Sequence, residues 1–361
     1  MSDLSKIDKN FTVVSKIDKP DIVWYDAAEA PFEIYGAYQK NSYTRMPCEI
    51  AEKVSEGVAE LNRYTSGVRA RFRCNSPYIA IHVKWRQMCH SPHMTDINHA
   101  GFDLYAVTDA GEYKFIKPFF TPWNGKGAEE GYESVLEVSG EMSDYVINFP
   151  SYNDVISLHI GVSESASFEP AAKYRDIPPI VFYGSSITQG GCASRPGNIY
   201  QNFLIRWLNV DCINLGFSGN GKAEQIMCDY LAGLPMSVFV SDYDHNAPSP
   251  EHLEKTHFNL YKTVREKNPD LPYVMISKPD YKSWIENDVR RKEIIKASYA
   301  RAIAEGDENV YFIDGESFFG DFERWAHTVD GCHPNDLGFY KMALGMYPVL
   351  KDIIEKRYGK E

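Results

Sequence analysis

The 361-residue sequence is short of positive charge, with 38 Lys and Arg against 50 Asp and Glu, a formal net charge of −12. A surface of that sign repels phosphate backbones and anionic headgroups on average, so neither nucleic acid nor a membrane surface is expected as a partner. Long hydrophobic runs are missing as well. No stretch reaches the 18 or more consecutive apolar residues of a membrane-spanning helix, and the polar opening from Met1 to Phe11 is expected to be neither signal peptide nor anchor. Cysteine is sparse and irregular. Cys48, Cys74, Cys89, Cys192, Cys212, Cys228 and Cys332 make an odd number without the dense spacing of a disulfide framework, which points to reduced thiols and a cytoplasmic protein. Internal repeats and low-complexity tracts are absent.

What is present fits a folded chain of two domains, since 361 residues exceed what one hydrophobic core usually organises. Apolar residues make up 43% and aromatics 14%, the latter generous and rich in Tyr, which suits β-structure. From Val68 to Val162 the period is two. Val68, Ala70, Phe72 and Cys74 alternate with Arg69, Arg71 and Arg73, the pattern of a half-buried strand. Further strands are expected at Tyr78 to Trp85, Phe102 to Val107, Tyr113 to Phe119, Val135 to Val138, Tyr145 to Phe149 and Val155 to Val162, separated by turn signals such as Asp109-Ala110-Gly111. This predicts an all-β antiparallel sandwich or jelly roll over residues 1–170, with an edge strand from the first segment.

Past a proline-punctuated linker, Phe168 to Pro179, the rhythm changes to short apolar strands alternating with helices. Strands are expected at Ile180 to Tyr183, Cys212 to Leu215, Ser237 to Val240, Tyr273 to Ile276 and Val310 to Ile313. Helices are expected at Pro196 to Leu208, Ala223 to Leu231, Pro250 to Lys267, Ile285 to Glu305 and Asn335 to about Arg357. Five such strands imply a parallel sheet covered on both faces, an α/β/α flavodoxin-like domain over residues 178–361. Ligands of such sheets bind beyond the carboxyl ends of the strands.

Four polar segments fall at that rim: Gly184-Ser185-Ser186-Ile187-Thr188, Gly216-Phe217-Ser218-Gly219-Asn220-Gly221, Ser241-Asp242-Tyr243-Asp244-His245-Asn246, and Asp330-Gly331-Cys332-His333-Pro334. Taken alone, Ser186 reads as a helix cap, and Asp330 with His333 as a capped turn with a surface imidazole. Together they supply what acyl transfer needs: a hydroxyl, a base to activate it, and a carboxylate to fix the base's tautomer. Gly331 permits a tight turn, and Pro334 holds His333 out of the α region so that its ring can face the rim. The first segment lacks the Gly-Lys-Ser/Thr ending of a P-loop and the Gly-x-Gly-x-x-Gly spacing of a dinucleotide fold. It is not a Gly-x-Ser-x-Gly elbow either, since its fifth residue is Thr188.

In order and content these segments resemble the four blocks of the SGNH (GDSL-type) hydrolase superfamily, which contribute Ser, Gly, Asn and His. The resemblance implies a serine esterase with Ser186 as nucleophile, Asp330 and His333 as the other triad members, and an oxyanion hole built from Ser186, Gly219 and Asn246. Ser185 stands where the family's first block usually carries Asp. Gly101-Phe102-Asp103-Leu104-Tyr105 is similar to the Gly-x-Asp-Leu-Tyr signature of the β-sandwich that precedes some of these hydrolases, a group that includes carbohydrate O-acetylesterases. The activity implied is hydrolysis of small acyl esters, acetyl above all, on an oligosaccharide or small-molecule substrate, with no metal and no organic cofactor. The alternatives are a longer-chain acylhydrolase or thioesterase, or a non-catalytic glycan-binding relative.

Candidate substrate contacts are Arg195, close after the nucleophile, which orients a substrate oxygen or pairs with a carboxylate shaping the loop, and Trp325, five residues before Asp330. Trp85 and Trp123 offer flat rings at expected strand ends or loops. Cys89, His90, His93 and His99 cluster in sequence but match no zinc spacing, and read as a polar loop.

Overall fold

The computed structural model describes residues 16–86, 88, 90–122, 128–279 and 285–360. Met1 to Phe11, Cys89 and Trp123 lie outside the described residues. The chain divides into two compact units. The first holds the described residues up to Thr44, Arg63–Lys173 and Arg195–Gly197; the second holds Arg45–Asn62, Tyr174–Ser194 and the described residues from Asn198 on. The division falls between Lys173 and Tyr174, while 45–62 groups with the second unit and 195–197 with the first.

In chain order the elements are β1 (Ile22–Asp26) and β2 (Glu33–Tyr35), then helices α1 (Cys48–Val54) and α2 (Glu56–Leu61) of the second unit, then β3 (Arg69–Cys74), β4 (Tyr78–Lys84), α3 (Asp96–Ala100), β5 (Phe102–Val107), β6 (Tyr113–Phe119), β7 (Gly131–Glu137), β8 (Ser143–Asn148), β9 (Ser157–Ser163) and β10 (Phe168–Glu169). The strands form two antiparallel sheets, ordered β1-β9-β4-β7 and β10-β3-β8-β5-β6 with β2 also on β3. β1 is an edge strand, as expected. Alternate residues of β4 and β9 (Ile79, Ile81, Val83, Leu158, Ile160, Val162) share one buried core with Ala70, Phe72, Leu104, Tyr145 and Ile147 of the other sheet, which makes the unit a sandwich. Each such aliphatic side chain removes enough apolar surface from water to contribute about 1.5–3 kcal/mol.

One expectation about this unit changes. β3 keeps its two-residue alternation, yet its arginine face is not open: Arg69 and Arg71 are only 1% and 2% exposed. Strands flank β3 on both sides, and Arg69 Nη1 donates to Gly67 O at 2.8 Å. Only Arg73 at the far end reaches the surface, paired with Asp144 at 2.8 Å and Glu169 at 3.1 Å.

The second unit continues with β11 (Ile180–Gly184), α4 (Ser186–Gln189), α5 (Tyr200–Leu208), β12 (Cys212–Gly216), α6 (Gln225–Ala232), β13 (Val238–Asp242), α7 (Pro250–Lys267), β14 (Tyr273–Ile276), α8 (Ile285–Ala304), β15 (Val310–Ile313) and α9 (Asp336–Tyr358). The helix expected from Pro196 is broken. Pro196–Asn198 form a 3₁₀ turn, and Ile199, with ψ of 150°, is extended before α5 begins. All five strands are parallel in the order β12-β11-β13-β14-β15, and β11, β13 and β14 are buried throughout, as a sheet covered on both faces requires. The order reverses beside β11, the switch point where such sheets open a crevice at their carboxyl ends.

Helices α1 and α2 complete this unit's core. Ala51 and Val58 pack in one cluster with Val181, Leu215, Phe217 and Met227. Just ahead of them Arg45 is fully buried; its guanidinium donates to the carbonyls of Asn214 (3.0 Å), Gly216 (2.7 Å) and Leu61 (2.5 Å) and lies over the Phe217 ring. One side chain thus satisfies carbonyls at the end of β12 and of α2. The Arg45→Ala variant, which strands those carbonyls and opens a cavity, is expected to lose about 3 kcal/mol of stability. Equilibrium urea unfolding checks this, and a change below 1 kcal/mol contradicts it.

Candidate active site

α4 settles directly on the strand ends because two residues there lack side chains. A Cβ on Gly184 would collide with Thr188 Oγ1 and the Asp242 carbonyl, and one on Gly216 with the Gln189 amide. Ser185 is extended (φ −102°, ψ −160°) and caps the helix. Its Oγ accepts from the Ile187 N–H at 3.1 Å, while its own N–H donates to Thr188 Oγ1 at 3.1 Å, a reciprocal capping box. Ser186 therefore begins the helix, with its side chain 7% exposed. Gly190, at φ +95°, ends the turn.

Asp330 and His333 are set by the same local device. Asp330 Oδ1 accepts from the N–H of Cys332 (2.9 Å) and of His333 (2.7 Å), folding the chain around Gly331, which sits at φ +81°. Val329 N–H donates to His333 O at 2.9 Å and closes the loop. The free carboxylate oxygen then meets the ring: His333 Nδ1 lies 2.7 Å from Asp330 Oδ2, and His333 Nε2 lies 2.9 Å from Ser186 Oγ. Burial alone would raise the Asp330 pKa, but the His333 backbone N–H, the His333 ring and the Cys332 N–H outweigh it and hold it at about 2. With that carboxylate ionised, Nδ1 carries the proton and Nε2 is free to accept one from Ser186. Hydroxyl, imidazole and carboxylate form a single hydrogen-bonded line. Cys192 Sγ lies within 4.8 Å of a His333 ring nitrogen, and Cys192 has φ of +74°, a strained backbone for a non-glycine residue beside that line.

Gly219 adopts φ +68°, which favours glycine, and a Cβ there would meet no protein atom within 4 Å. The backbone conformation, and not crowding within the protein, accounts for the glycine. Asn246 accepts from the Gly221 N–H through Oδ1 at 3.4 Å, so its Nδ2 remains a donor.

Three residues of the third polar segment lie close to this site, Asp242 and Asp244 buried and His245 half-buried. His245 Nε2 is hydrogen-bonded to Ser185 Oγ, and His245 Nδ1 lies 2.8 Å from Asp244 Oδ1. Asp244 Oδ2 accepts from the Lys278 N–H at 3.1 Å and the Asp244 carbonyl from Arg291. Although burial works against it, the His245 ring, the Lys278 N–H and Arg291 hold Asp244 below the usual carboxylate range. Asp242 has the opposite fate. Burial, and the neighbouring Asp244 carboxylate to a lesser degree, raise its pKa to about 7 in spite of bonds from Thr188 Oγ1 (3.0 Å) and Tyr200 Oη (3.2 Å). Asp242, Asp244 and His245 present ligand-type atoms within 4.8 Å of one another, but both His245 nitrogens and both Asp244 oxygens are already committed to protein partners, which fits a metal poorly.

Of the other candidates, Arg195 groups with the first unit. Its Nη1 donates to Asp103 Oδ2 (2.7 Å) and Tyr105 Oη (2.5 Å), and its guanidinium lies 3.8 Å from the centre of the Phe115 ring. Between the two roles left open for it, this geometry favours pairing with a carboxylate that shapes the loop. It also gives Asp103 and Tyr105 of the Gly-x-Asp-Leu-Tyr segment a job, with Asp103 accepting from the Gly197 N–H at 2.8 Å as well. Trp325 is 68% exposed in a 3₁₀ turn (Arg324–His327) just before the Asp330 loop. Trp85 is instead a core residue, with Nε1 donating to Ala128 O at 2.8 Å. His90 pairs with Asp96 at 3.3 Å, and buried His99 has its pKa driven down to about 4. Among the described residues no group of three metal-ligand side chains comes from that loop alone.

With this geometry in hand, the chain can be compared with known proteins. Residues 178–351 match the GDSL-like Lipase/Acylhydrolase family, and residues 22–168 match the N-terminus of Esterase_SGNH_hydro-type. The chain is therefore an SGNH/GDSL-type hydrolase with a GxDLY-type N-terminal domain, an esterase of the acyl-ester-hydrolysing class. A crystal structure of a candidate GDSL-like lipase from Bacteroides ovatus ATCC 8483 is 29% identical, with a TM-score of 0.83 over 92% of this chain and 98% of that one. The salicylyl-acyltransferase SsfX3 of a tetracycline biosynthetic pathway is 16% identical, with a TM-score of 0.76 over 95% of this chain and 100% of its own. A family two carbohydrate esterase from Clostridium thermocellum, solved with cellohexaose, is 17% identical, with a TM-score of 0.56 over 81% of this chain and 93% of its own. The last two likenesses concern the fold. No curated protein matches the chain.

Asp242 carries a measurable consequence. Burial raises its folded-state pKa to about 7, above the ordinary carboxylate range, so the fold is favoured while the group is neutral. That contribution is complete below about pH 4 and is lost as pH rises toward 7. The Asp242→Asn variant, neutral at every pH, is expected to match the wild type in thermal unfolding at pH 3.5 and to exceed it at pH 8 by about 2–4 kcal/mol. Parallel melting curves at the two pH values contradict this.

Proposed function

We propose that the protein hydrolyses small acyl esters, acetyl esters of an oligosaccharide first among them, through an acyl-enzyme on Ser186. The observation that carries this reading is the unbroken line from Ser186 Oγ through the His333 ring to Asp330, with steps of 2.9 and 2.7 Å. His333 Nε2 takes the Ser186 proton as Oγ attacks the ester carbonyl, and Asp330 stabilises the imidazolium. The tetrahedral oxyanion is met by the backbone N–H groups of Ser186 and Gly219 and by Asn246 Nδ2, each such donor being worth about 3–4 kcal/mol of barrier. Collapse returns the proton to the leaving alcohol. Water, deprotonated by the same imidazole, then releases the acid and regenerates Ser186. Every proton in this cycle moves among Ser186, His333, the ester and the hydrolytic water, so the cycle calls on neither metal nor organic cofactor.

The low exposure of Ser186 and the nearness of Cys192 to the His333 ring favour a short acyl group. Trp325 is the exposed ring best suited to lie against a pyranose face, and Arg195 serves the loop beside the nucleophile. The cysteines Cys48, Cys74, Cys192, Cys228 and Cys332 are free thiols, which supports a reducing, cytoplasmic setting.

Two measurements test the reading. A fluorophosphonate probe is expected to label the wild type and to leave Ser186→Ala unmodified; stoichiometric labelling of that variant would show the nucleophile to be misassigned. On model esters, kcat/KM for acetate is expected to exceed that for octanoate by at least about tenfold. The reverse order would indicate a longer-chain acylhydrolase, and saccharide binding without turnover from pH 6 to 9 a non-catalytic relative.

A further inference from the structure

Two consecutive serines each meet a histidine backed by an aspartate, Ser186 with His333 and Asp330, and Ser185 with His245 and Asp244. Ser185 is fully buried and cannot attack a substrate. Its hydroxyl has nonetheless a fixed part. One lone pair accepts the Ile187 N–H of the cap, and the oxygen makes a second hydrogen bond with His245 Nε2. Where the hydroxyl is the donor, the ring proton sits on Nδ1 and the Asp244 carboxylate receives it. Asp244 is held in turn by the Lys278 N–H after β14 and the Arg291 guanidinium of α8, so the line ends on the scaffold of the sheet and not on another loop tip.

Two members of this line adjoin two of the three proposed oxyanion donors. Ser185 directly precedes the Ser186 N–H, and His245 directly precedes Asn246, whose Oδ1 holds the Gly221 N–H of the loop that contains Gly219. We infer that the Ser185–His245–Asp244 line is a strut that locks the nucleophile loop to the Asn246 loop and sets the spacing of the oxyanion donors, with His245 as a positioning residue that never touches substrate. The inference rests on the proposed role of Ser186. A histidine suits the task because its two ring nitrogens make hydrogen bonds at opposite ends of a rigid ring, so that a carboxylate held by the Lys278 N–H and Arg291 can orient a hydroxyl four bonds from the nucleophile's amide nitrogen.

The test is a double-mutant cycle with the full chain on an acetyl model ester, using Ser185→Ala, His245→Ala and the pair. Each single change is expected to lower kcat about 10²-fold, the scale of a misplaced donor, with KM within threefold of the wild type. The double variant is expected to fall no more than threefold below the weaker single one, since both changes cut the same line. If His245→Ala does not fold, His245→Asn takes its place in the cycle, and each variant's unfolding midpoint is read alongside its kinetics. A folded His245 variant with kcat within threefold of the wild type overturns the inference, as does a double loss equal to the product of the single losses, or a rise in KM at constant kcat. Those results leave the esterase reading intact where the wild type turns over; a wild type that neither hydrolyses ester nor reacts with fluorophosphonate removes both.

Discussion

How closely a one-turn helix can approach the strand ends is settled by bare α-carbons at Gly184 and Gly216, and the polar groups of the rim depend on that approach. α4 is too short to satisfy its own termini, so its amides and carbonyls must find partners around it. The Thr188 carbonyl takes two amide donors, Asn214 Nδ2 and Gln201 Nε2, each at 2.7 Å, and Gln189 Oε1 receives the Ser218 N–H at 2.9 Å. These bonds tie the first polar segment to the second before any catalytic group is considered. A side chain at either glycine would lift the helix and loosen all of them together.

Beneath the rim the protein buries charge as well as hydrocarbon, and it handles neighbouring carboxylates in opposite ways. Asp244 keeps its charge because a ring, an amide and a guanidinium face it, whereas Asp242, with two hydroxyls for company, is driven toward the neutral form. Two ionised carboxylates so near each other in a dry interior would repel strongly, and protonating one of them relieves that. His257, stacked on Tyr243 and buried, is kept neutral by desolvation, its pKa driven down to about 4. The polar interior is therefore specified residue by residue. The exposed Asp330 and His333 loop instead relies on one local turn.

Much of this was legible in the chain itself. The change of period from two to an alternation of strand and helix marks the sandwich and the parallel sheet, because each periodicity follows from which face is buried. The bounds of α7, β14 and β15 agree residue for residue with the expectation. Ser186, His333 and Asp330 were legible because their order and spacing have few other uses, and the structure brings them within hydrogen-bonding distance. Three kinds of feature were not. The burial of Arg69 and Arg71 depends on what covers the second face of β3, which alternation cannot report. Trp85 looked like a loop-end ring because sequence gives no sign of Ala128 above it. His245 and Asp244 stood in the quoted third segment, but a histidine hidden behind a serine sixty residues away has no periodic or spacing signature; the one available hint was Ser185, a hydroxyl at a motif position that usually carries a carboxylate.

The path of the chain between the units has a bearing on how the protein is divided. Met46, Ala51 and Val58 belong to the same apolar cluster as Val181, Leu215 and Phe217, although more than a hundred residues of sandwich separate them in sequence. A fragment that starts after the proline-rich linker would thus lack a portion of its own interior and present bare hydrocarbon where α1 and α2 had been. The proline-marked seam is a boundary in composition; the apolar interior of the hydrolase unit draws its first residues from 45–62, well upstream of it.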